Sequence, residues 1–254
     1  MLLKVEKLTK RFEGLVAVND VSFNLNQGEI LAIIGPNGAG KSSLFNLISG
    51  ILPPTSGHIY LQGEKITGLK PYRVAEKGIA RTFQTTTLFD QLRVVDNLAI
   101  GHKLRTTSGF WGTILHTRRW KGDKEKTTLK TIETLGFIDL ADKAFSFVST
   151  LSQEEKKRLA IGVALASEPK IILLDEPTGG LIHEDTNGIT ELIRKIGAAG
   201  ITVCLIEHKM RMVMDLAHRI VVLNYGEKLA EGTPEEISKN PEVIQAYLGR
   251  EYIA

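Results

Sequence analysis

With 254 residues, 43% of them hydrophobic, the chain is long enough for one large domain or for a core with a smaller subdomain. Its formal net charge of +3 gives no electrostatic reason to look for nucleic acid, and no nucleic-acid partner is expected. A single cysteine, Cys204 in the apolar run ITVCLI, excludes an internal disulfide framework and reads as a buried strand residue in a reducing compartment.

The chain opens with MLLKVEKLTK, charged every few residues, and no stretch approaches the roughly 18 consecutive apolar residues of a membrane span. The expectation is a cytoplasmic protein unless a partner holds it at a membrane. VEKLTKRF, VSFNL and HIYLQG, separated by NQGE and glycine-containing turns, read as antiparallel strands. Between them the apolar run Ile30 to Ile34 leads into GPNGAGKS at residues 35–42 and then into a helix beginning near Lys41. Strand, glycine-rich loop and helix in that order make a phosphate site: Gly35, Gly38 and Gly40 let backbone amides turn toward phosphate oxygens, at the positive end of the helix dipole. Lys41 would reach the β and γ phosphates and Ser42 would ligate Mg²⁺, so the chain is expected to bind a nucleoside triphosphate. The nucleotide-binding set is Gly35, Pro36, Asn37, Gly38, Ala39, Gly40, Lys41, Ser42 and Ser43.

Gln84, in RTFQTTTLFD, follows a β-prone run and offers an uncharged amide to Mg²⁺ or to water; on its own it would be a loop glutamine. From about Asp96 to Leu165 the composition turns helical, and Leu129, Ile132 and Leu135 are expected on one helical face of Lys124 to Leu135. Thr106 to Gly122 reads as a loop or short-helix insertion, within a stretch, 103–130, that holds eight Lys or Arg against Asp123 and Glu125. Its Trp111 and Trp120 are expected to pack the subdomain rather than meet a membrane or partner. In LSQEE, Ser152 and Glu155 form an S-x-x-E capping box starting the helix through Ala166. The run Ile171 to Leu174 delivers Asp175 and Glu176 at its C-terminal edge, where ligands gather in open α/β sheets. Asp175 would hold the metal and Glu176 would polarise water as a general base. Ile201 to Ile206 ends in Glu207 and His208, bringing an imidazole to the same edge; Ile220 to Leu223 is a further strand. GTPEEI starts a short helix with Thr233 as N-cap.

Phe12, the phosphate loop, Gln84, LSQEEKKRLAIGVALA, ILLDEP and His208, in this order, resemble the nucleotide-binding subunit of ATP-binding cassette transporters over essentially the whole length. The resemblance implies an α/β P-loop NTPase core with a mostly parallel sheet, an antiparallel β-rich flank and a helical subdomain. Residues 1–95 and 167–254 would form the core and about 96–166 the subdomain. It implies an ATP hydrolase in which Phe12 stacks on adenine, Gln84 couples to the membrane subunit, Ser152 contacts the γ-phosphate across a dimer, Glu176 is the catalytic carboxylate and His208 senses the γ-phosphate. ATP and Mg²⁺, membrane-spanning permease subunits and a second ATPase subunit, identical or different, are the implied cofactors and partners, and the inner face of the cell membrane the implied place. GIARTFQTTTLFDQLRVVDNLAIG, LIEHKMRMVMDLAHRIVVLNYGE and AEGTPEEISKNPEVIQAYLG are similar to the LivG-type ATPases of branched-chain amino acid importers. Urea or amide importers and the lipopolysaccharide-export ATPase share parts of these stretches.

Two stretches depart from the family pattern. LSQEE stands where the family has LSGGQ, and TGGLIHED at residues 178–185 where relatives have a proline or serine near His183. Glu154 occupies the second glycine position, so a like-charge contact with a triphosphate is expected unless Lys156, Lys157 or Arg158 turns to screen it. A structural clamp with little hydrolysis is the alternative that this departure favours.

Overall fold

The structure, a computed structural model, describes residues 1–82, 88–102 and 118–248, without the side chains of 118–124, 126 and 183. The described chain divides into two compact units, Met1–Arg81 with Lys170–Pro177 and Ile193–Ala254, and Thr82–Pro169 with Thr178–Leu192.

In the first unit, alternation makes the first sheet. Along β1 (Leu3–Phe12), Leu3 and Val5 point inward while Lys4 and Glu6 are partly exposed. β1 pairs antiparallel with β2 (Leu15–Leu25) and β4 (Ser56–Leu61), and β5 (Glu64–Lys65) completes the order β2-β1-β4-β5.

The second sheet has the order β10-β9-β3-β8-β7-β6. β3 (Ile30–Ile34), β6 (Ile79–Arg81), β7 (Ile171–Asp175), β8 (Thr202–Ile206) and β9 (Arg219–Asn224) run parallel, and β10 (Glu227–Gly232) is antiparallel to β9. Every residue of β3, β7 and β8 is buried, which is why these strands read as continuous apolar runs rather than alternating ones. Helix α1 (Lys41–Ile48) adds Leu44, Phe45, Leu47 and Ile48 to one core that also holds Leu31, Ile33, Leu173, Cys204, Ile206, Val221 and Leu223 of this sheet and the apolar face of the first. Burial pushes the Cys204 thiol well above its usual range, so it stays a protonated core side chain. A further helix, α2 (Pro71–Glu76), precedes β6.

The second unit is helical: α3 (Val94–Gly101), α4 (Arg118–Phe137), α5 (Gln153–Leu165) and residues 183–192 of α6 (His183–Ala198), whose remainder belongs to the first unit. The expected stripe on α4 is only partly buried. Leu135 is inside, but Leu129 and Ile132 are 63% and 60% exposed. The buried line runs instead through Thr131 and Leu135. Thr131 tolerates burial because its hydroxyl donates to the Thr127 carbonyl at 2.7 Å, so the helix can turn a threonine inward. Trp111 and the first part of the insertion lie outside the described residues; from Arg118 onward the segment is helix.

Back in the first unit, α7 (Met210–Leu216), α8 (Pro234–Lys239) and α9 (Pro241–Leu248) flank the second sheet. Thr233 caps α8 as expected, its hydroxyl accepting from Glu236 N at 3.3 Å while the Glu236 carboxylate accepts from Thr233 N at 2.8 Å.

Candidate nucleotide site

The loop between β3 and α1 is shaped by glycines that nothing larger can replace. Gly35 has φ +151° and a Cβ there would run into the Leu223 carbonyl; Gly40, at φ +98°, would run into that of Ala17. The turn after β9 fastens the loop from below: Gly226 N donates to Ala39 O at 3.1 Å, and Gly226 O accepts from Asn19 N at 2.8 Å. Gly40 is the N-cap of α1 and no side chain caps this helix, so the first-turn amides face the loop's concave side with the positive end of the dipole. Lys41 is buried, and its ammonium donates to the carbonyls of Gly35 at 2.7 Å and Pro36 at 3.0 Å, which holds it along the loop. Asn37, Gly38 and Ser42 are exposed.

A cleft of ≈ 320 Å³ opens over this loop, lined by residues 37–43, by Leu15, Val16 and Ala17 at the start of β2, and by Glu176 and His208. Glu176 follows β7 in a left-handed conformation, φ +48°, while its amide donates to Ile206 O at 2.9 Å. A non-glycine residue held there is strained backbone at the mouth of a cleft, a pattern that clusters at functional sites. Its carboxylate accepts from His208 Nε2 at 3.1 Å. His208 is positioned in turn by its neighbour: the buried Glu207 carboxylate accepts from the amides of His208 at 2.7 Å and Lys209 at 3.1 Å, fixing the loop after β8.

Asp175 is buried at the end of β7 and accepts from Arg81 Nη2 at 2.8 Å. Phe12 stands at the end of β1, 42% exposed and opposite Leu15 in the register, with the Lys10 ammonium 4.9 Å from its ring centroid. Gln84 lies outside the described residues. Ser152 belongs to the second unit, where it caps α5: its hydroxyl accepts from Glu155 N at 3.2 Å, and the Glu155 carboxylate accepts from Ser152 N at 2.9 Å. Glu154 turns back along the helix, its Oε1 accepting from Arg158 Nε at 2.9 Å. Of the three cations that could screen it, Arg158 is the one that pairs with it.

The structure thus brings Lys41, Ser42, Glu176 and His208 to one cleft, with Asp175 buried at the end of the strand just before Glu176. Arg81 and the β2 residues 15–17 escaped sequence reasoning. The charge that ends the apolar run GIAR was the one available signal for Arg81, and nothing in the pattern marks the β2 residues.

Residues 18–179 match the ABC transporter family. The chain belongs to the ABC transporter family. Residues 227–253 also match the family described as branched-chain amino acid ATP-binding cassette transporter. As an ABC ATPase the chain binds and hydrolyses ATP. It is similar to the high-affinity branched-chain amino acid transport ATP-binding protein BraF of Pseudomonas aeruginosa, 39% identical with 98% of each chain covered. LivG of Escherichia coli, with the same descriptive name, is equally similar, 39% identical over 98% of each chain. Among solved structures, the ADP conformation of MJ1267, an ATP-binding cassette of an ABC transporter, superposes with a TM-score of 0.86 at 31% identity, covering 98% of both chains. A nucleotide-free ATP-binding cassette from an ABC transporter gives 0.84 at 30% identity, covering 97% of this chain and 98% of that one. No described helix of the ABC subunit is long and apolar enough to cross a membrane.

Proposed function

We propose that this ABC ATPase powers the import of branched-chain amino acids or a related small polar solute, working at the inner face of the cell membrane through membrane-spanning permease subunits. The observation that carries the reading is the cleft where phosphate-loop residues 37–43 meet Glu176 and His208. Loop amides and Lys41 hold the triphosphate, and Phe12 with the start of β2 takes the adenine. Glu176 accepts the proton of the attacking water as its oxygen bonds to the γ-phosphorus and ADP departs. His208 orients that carboxylate from 3.1 Å and senses the γ-phosphate.

The donor set fits Mg²⁺: Ser42 and Asp175, with Gln84, offer hard oxygen ligands. Among the described residues no cluster of three or more His, Cys, Asp or Glu makes an all-protein cage, which suits an ion that keeps waters and nucleotide phosphates as ligands. When bound, the ion supplies charge neutralisation at the phosphate oxygens.

A second ATPase subunit completes the assembly, with Ser152 facing the γ-phosphate of the nucleotide which that subunit holds. The permease surface is supported by apolar side chains that the second unit leaves outside. Phe89, Leu92, Phe145 and Phe147 are 57%, 38%, 73% and 51% exposed, on segments tied together by Val95 N to Ala144 O and Val148 N to Leu92 O. The clamp reading keeps one point in its favour: the first turn of α5 carries its own Glu154 and Glu155 at the helix end that a phosphate would approach.

MgATP turnover of the purified chain, followed across protein concentration, tests the reading. Glu176→Gln is expected to lower turnover about 10²–10⁴-fold while ATP binding persists. Negligible turnover by both proteins with ATP binding intact would favour the clamp, and equal, substantial turnover would take the catalytic role from Glu176. For the solute, loss of the chain from its own cells is expected to abolish leucine, isoleucine and valine uptake; loss of urea uptake instead would reassign the substrate.

A further inference from the structure

Arg81 ends the short strand β6, and its side chain is as buried as the carboxylate it meets, 8% against 5% exposed for Asp175. A guanidinium out of water is unfavourable unless acceptors match its donors. They come from two elements. Nη2 donates to Asp175 Oδ2 at 2.8 Å, at the end of β7. Nη1 donates to Asn46 Oδ1 at 2.7 Å and to Ser49 Oγ at 3.0 Å, on α1 and at its C-cap. The guanidinium carbon lies 5.6 Å from the ring centroid of Phe45, also on α1. Ser49 spends its own proton on the Phe45 carbonyl at 2.7 Å, which leaves its oxygen lone pairs to accept from the arginine.

Helix α1 carries Lys41 and Ser42 in its first turn, and β7 ends in Asp175. The arginine therefore ties the element bearing the hydroxyl ligand to the element bearing the carboxylate ligand. We propose that Arg81 is a positioning residue that fixes the Asp175 carboxylate relative to α1, so that Ser42 and Asp175 keep the mutual geometry required by a magnesium nucleotide. It acts through Asp175 and touches no nucleotide. The inference rests on the role given above to Asp175. A planar fork can serve Asp175 with one nitrogen while the other reaches Asn46 and Ser49; a lysine ammonium is a point charge without that geometry.

The test uses the full chain with Arg81→Met and Arg81→Lys, each checked for folding by circular dichroism. A fluorescent ATP analogue in EDTA reports metal-free nucleotide binding, and electron paramagnetic resonance of Mn²⁺ with the ADP-loaded protein reports the metal. Partners that orient metal ligands change metal affinity by 10–100-fold, so Mn²⁺ is expected to bind about 10-fold or more weakly in Arg81→Met and by a smaller factor in Arg81→Lys, with EDTA binding within about twofold of the parent. In an Asp175→Asn background, Arg81→Met is expected to add nothing. Unchanged Mn²⁺ affinity in a folded variant, or equal losses with and without metal, overturns the proposal and leaves Arg81 a support of the fold. If Arg81→Met does not fold, the Mn²⁺ constant of Arg81→Lys decides alone. A parent chain that binds no nucleotide would instead sink the functional reading, and the role of Arg81 with it.

Discussion

Lys41 illustrates how far a single side chain can be argued. Its ammonium is buried and donates to two loop carbonyls, Gly35 and Pro36, so it shapes the loop as well as offering charge to phosphate. Lys41→Ala removes a charge-assisted contact to nucleotide and leaves both carbonyls short of a donor. Hydrogen bonds to charged groups contribute about 1.5–3 kcal/mol, so ATP affinity is expected to fall by about 10- to 100-fold, together with a lower thermal midpoint of the nucleotide-free protein. Titration calorimetry and a melting curve check the two effects; weaker binding without a lower midpoint would mean that the loop holds its shape without Lys41. At this scale the sequence was most legible where chemistry imposes a fixed spacing. Asp175, Glu176 and His208 are legible because they close or follow apolar strand runs, and Lys41 because it ends a glycine-rich loop at the start of α1. Arg81 is not, because a buried ion pair is made by residues 94 apart in sequence and no local pattern announces it.

Elements were legible where their own residues decide them and illegible where neighbours do. The capping boxes at Ser152 and Thr233 stand as their sequences require. The face buried by α4 does not follow its apolar residues, since Thr131 goes in and Ile132 stays out. Close helix packing in the second unit is likewise a matter of neighbours, and two glycines there make opposite predictions. A Cβ at Gly101, the last residue of α3, would be driven into the Val163 carbonyl and to 2.8 Å from Ala166 Cβ, both fixed parts of the α5 segment. Neither can yield cheaply, so Gly101→Ala is expected to be destabilising by about 1–3 kcal/mol through overpacking. At Gly188 in α6 the Cβ would meet the carboxylate end of Glu154 and, at 2.6 Å, Arg158 Nη2. These are far ends of flexible side chains, and alanine adds up to about 1 kcal/mol of helix propensity over glycine, so Gly188→Ala is expected to lie within about 1 kcal/mol of the parent. Urea midpoints at unchanged m-value separate the two; similar losses would mean that the Glu154–Arg158 pair is rigidly seated.

Across the whole molecule, three groups whose titration folding perturbs, His102, Glu29 and Glu155, push stability the same way on the acid side. At the end of α3, burial is the main cause that holds the His102 imidazole below its ordinary value near 6.5; the Lys130 charge adds to it, against a hydrogen bond to the Ala166 backbone. Burial works to raise the Glu29 carboxylate, but hydrogen bonds from Arg219 and Asn26 outweigh it and leave it below 4.5. Burial is likewise overcome at Glu155 by Lys143 and the Ser152 cap, again giving a lowered value. For His102 the unfolded chain takes up its proton first, so the stability it contributes is complete above pH 6.5 and declines as pH falls through that value toward the lowered folded one. For Glu29 and Glu155 the contribution is present above 4.5 and is lost as pH falls through their folded values. The two ranges do not coincide, which predicts acid destabilisation in two stages. Urea midpoints should be level from about pH 8 to 7, decline gently as His102 begins to charge, and fall steeply below about pH 4.5. His102→Gln should flatten the first stage and leave the second, whereas a slope between pH 7 and 5 that survives His102→Gln would mean that another group carries it.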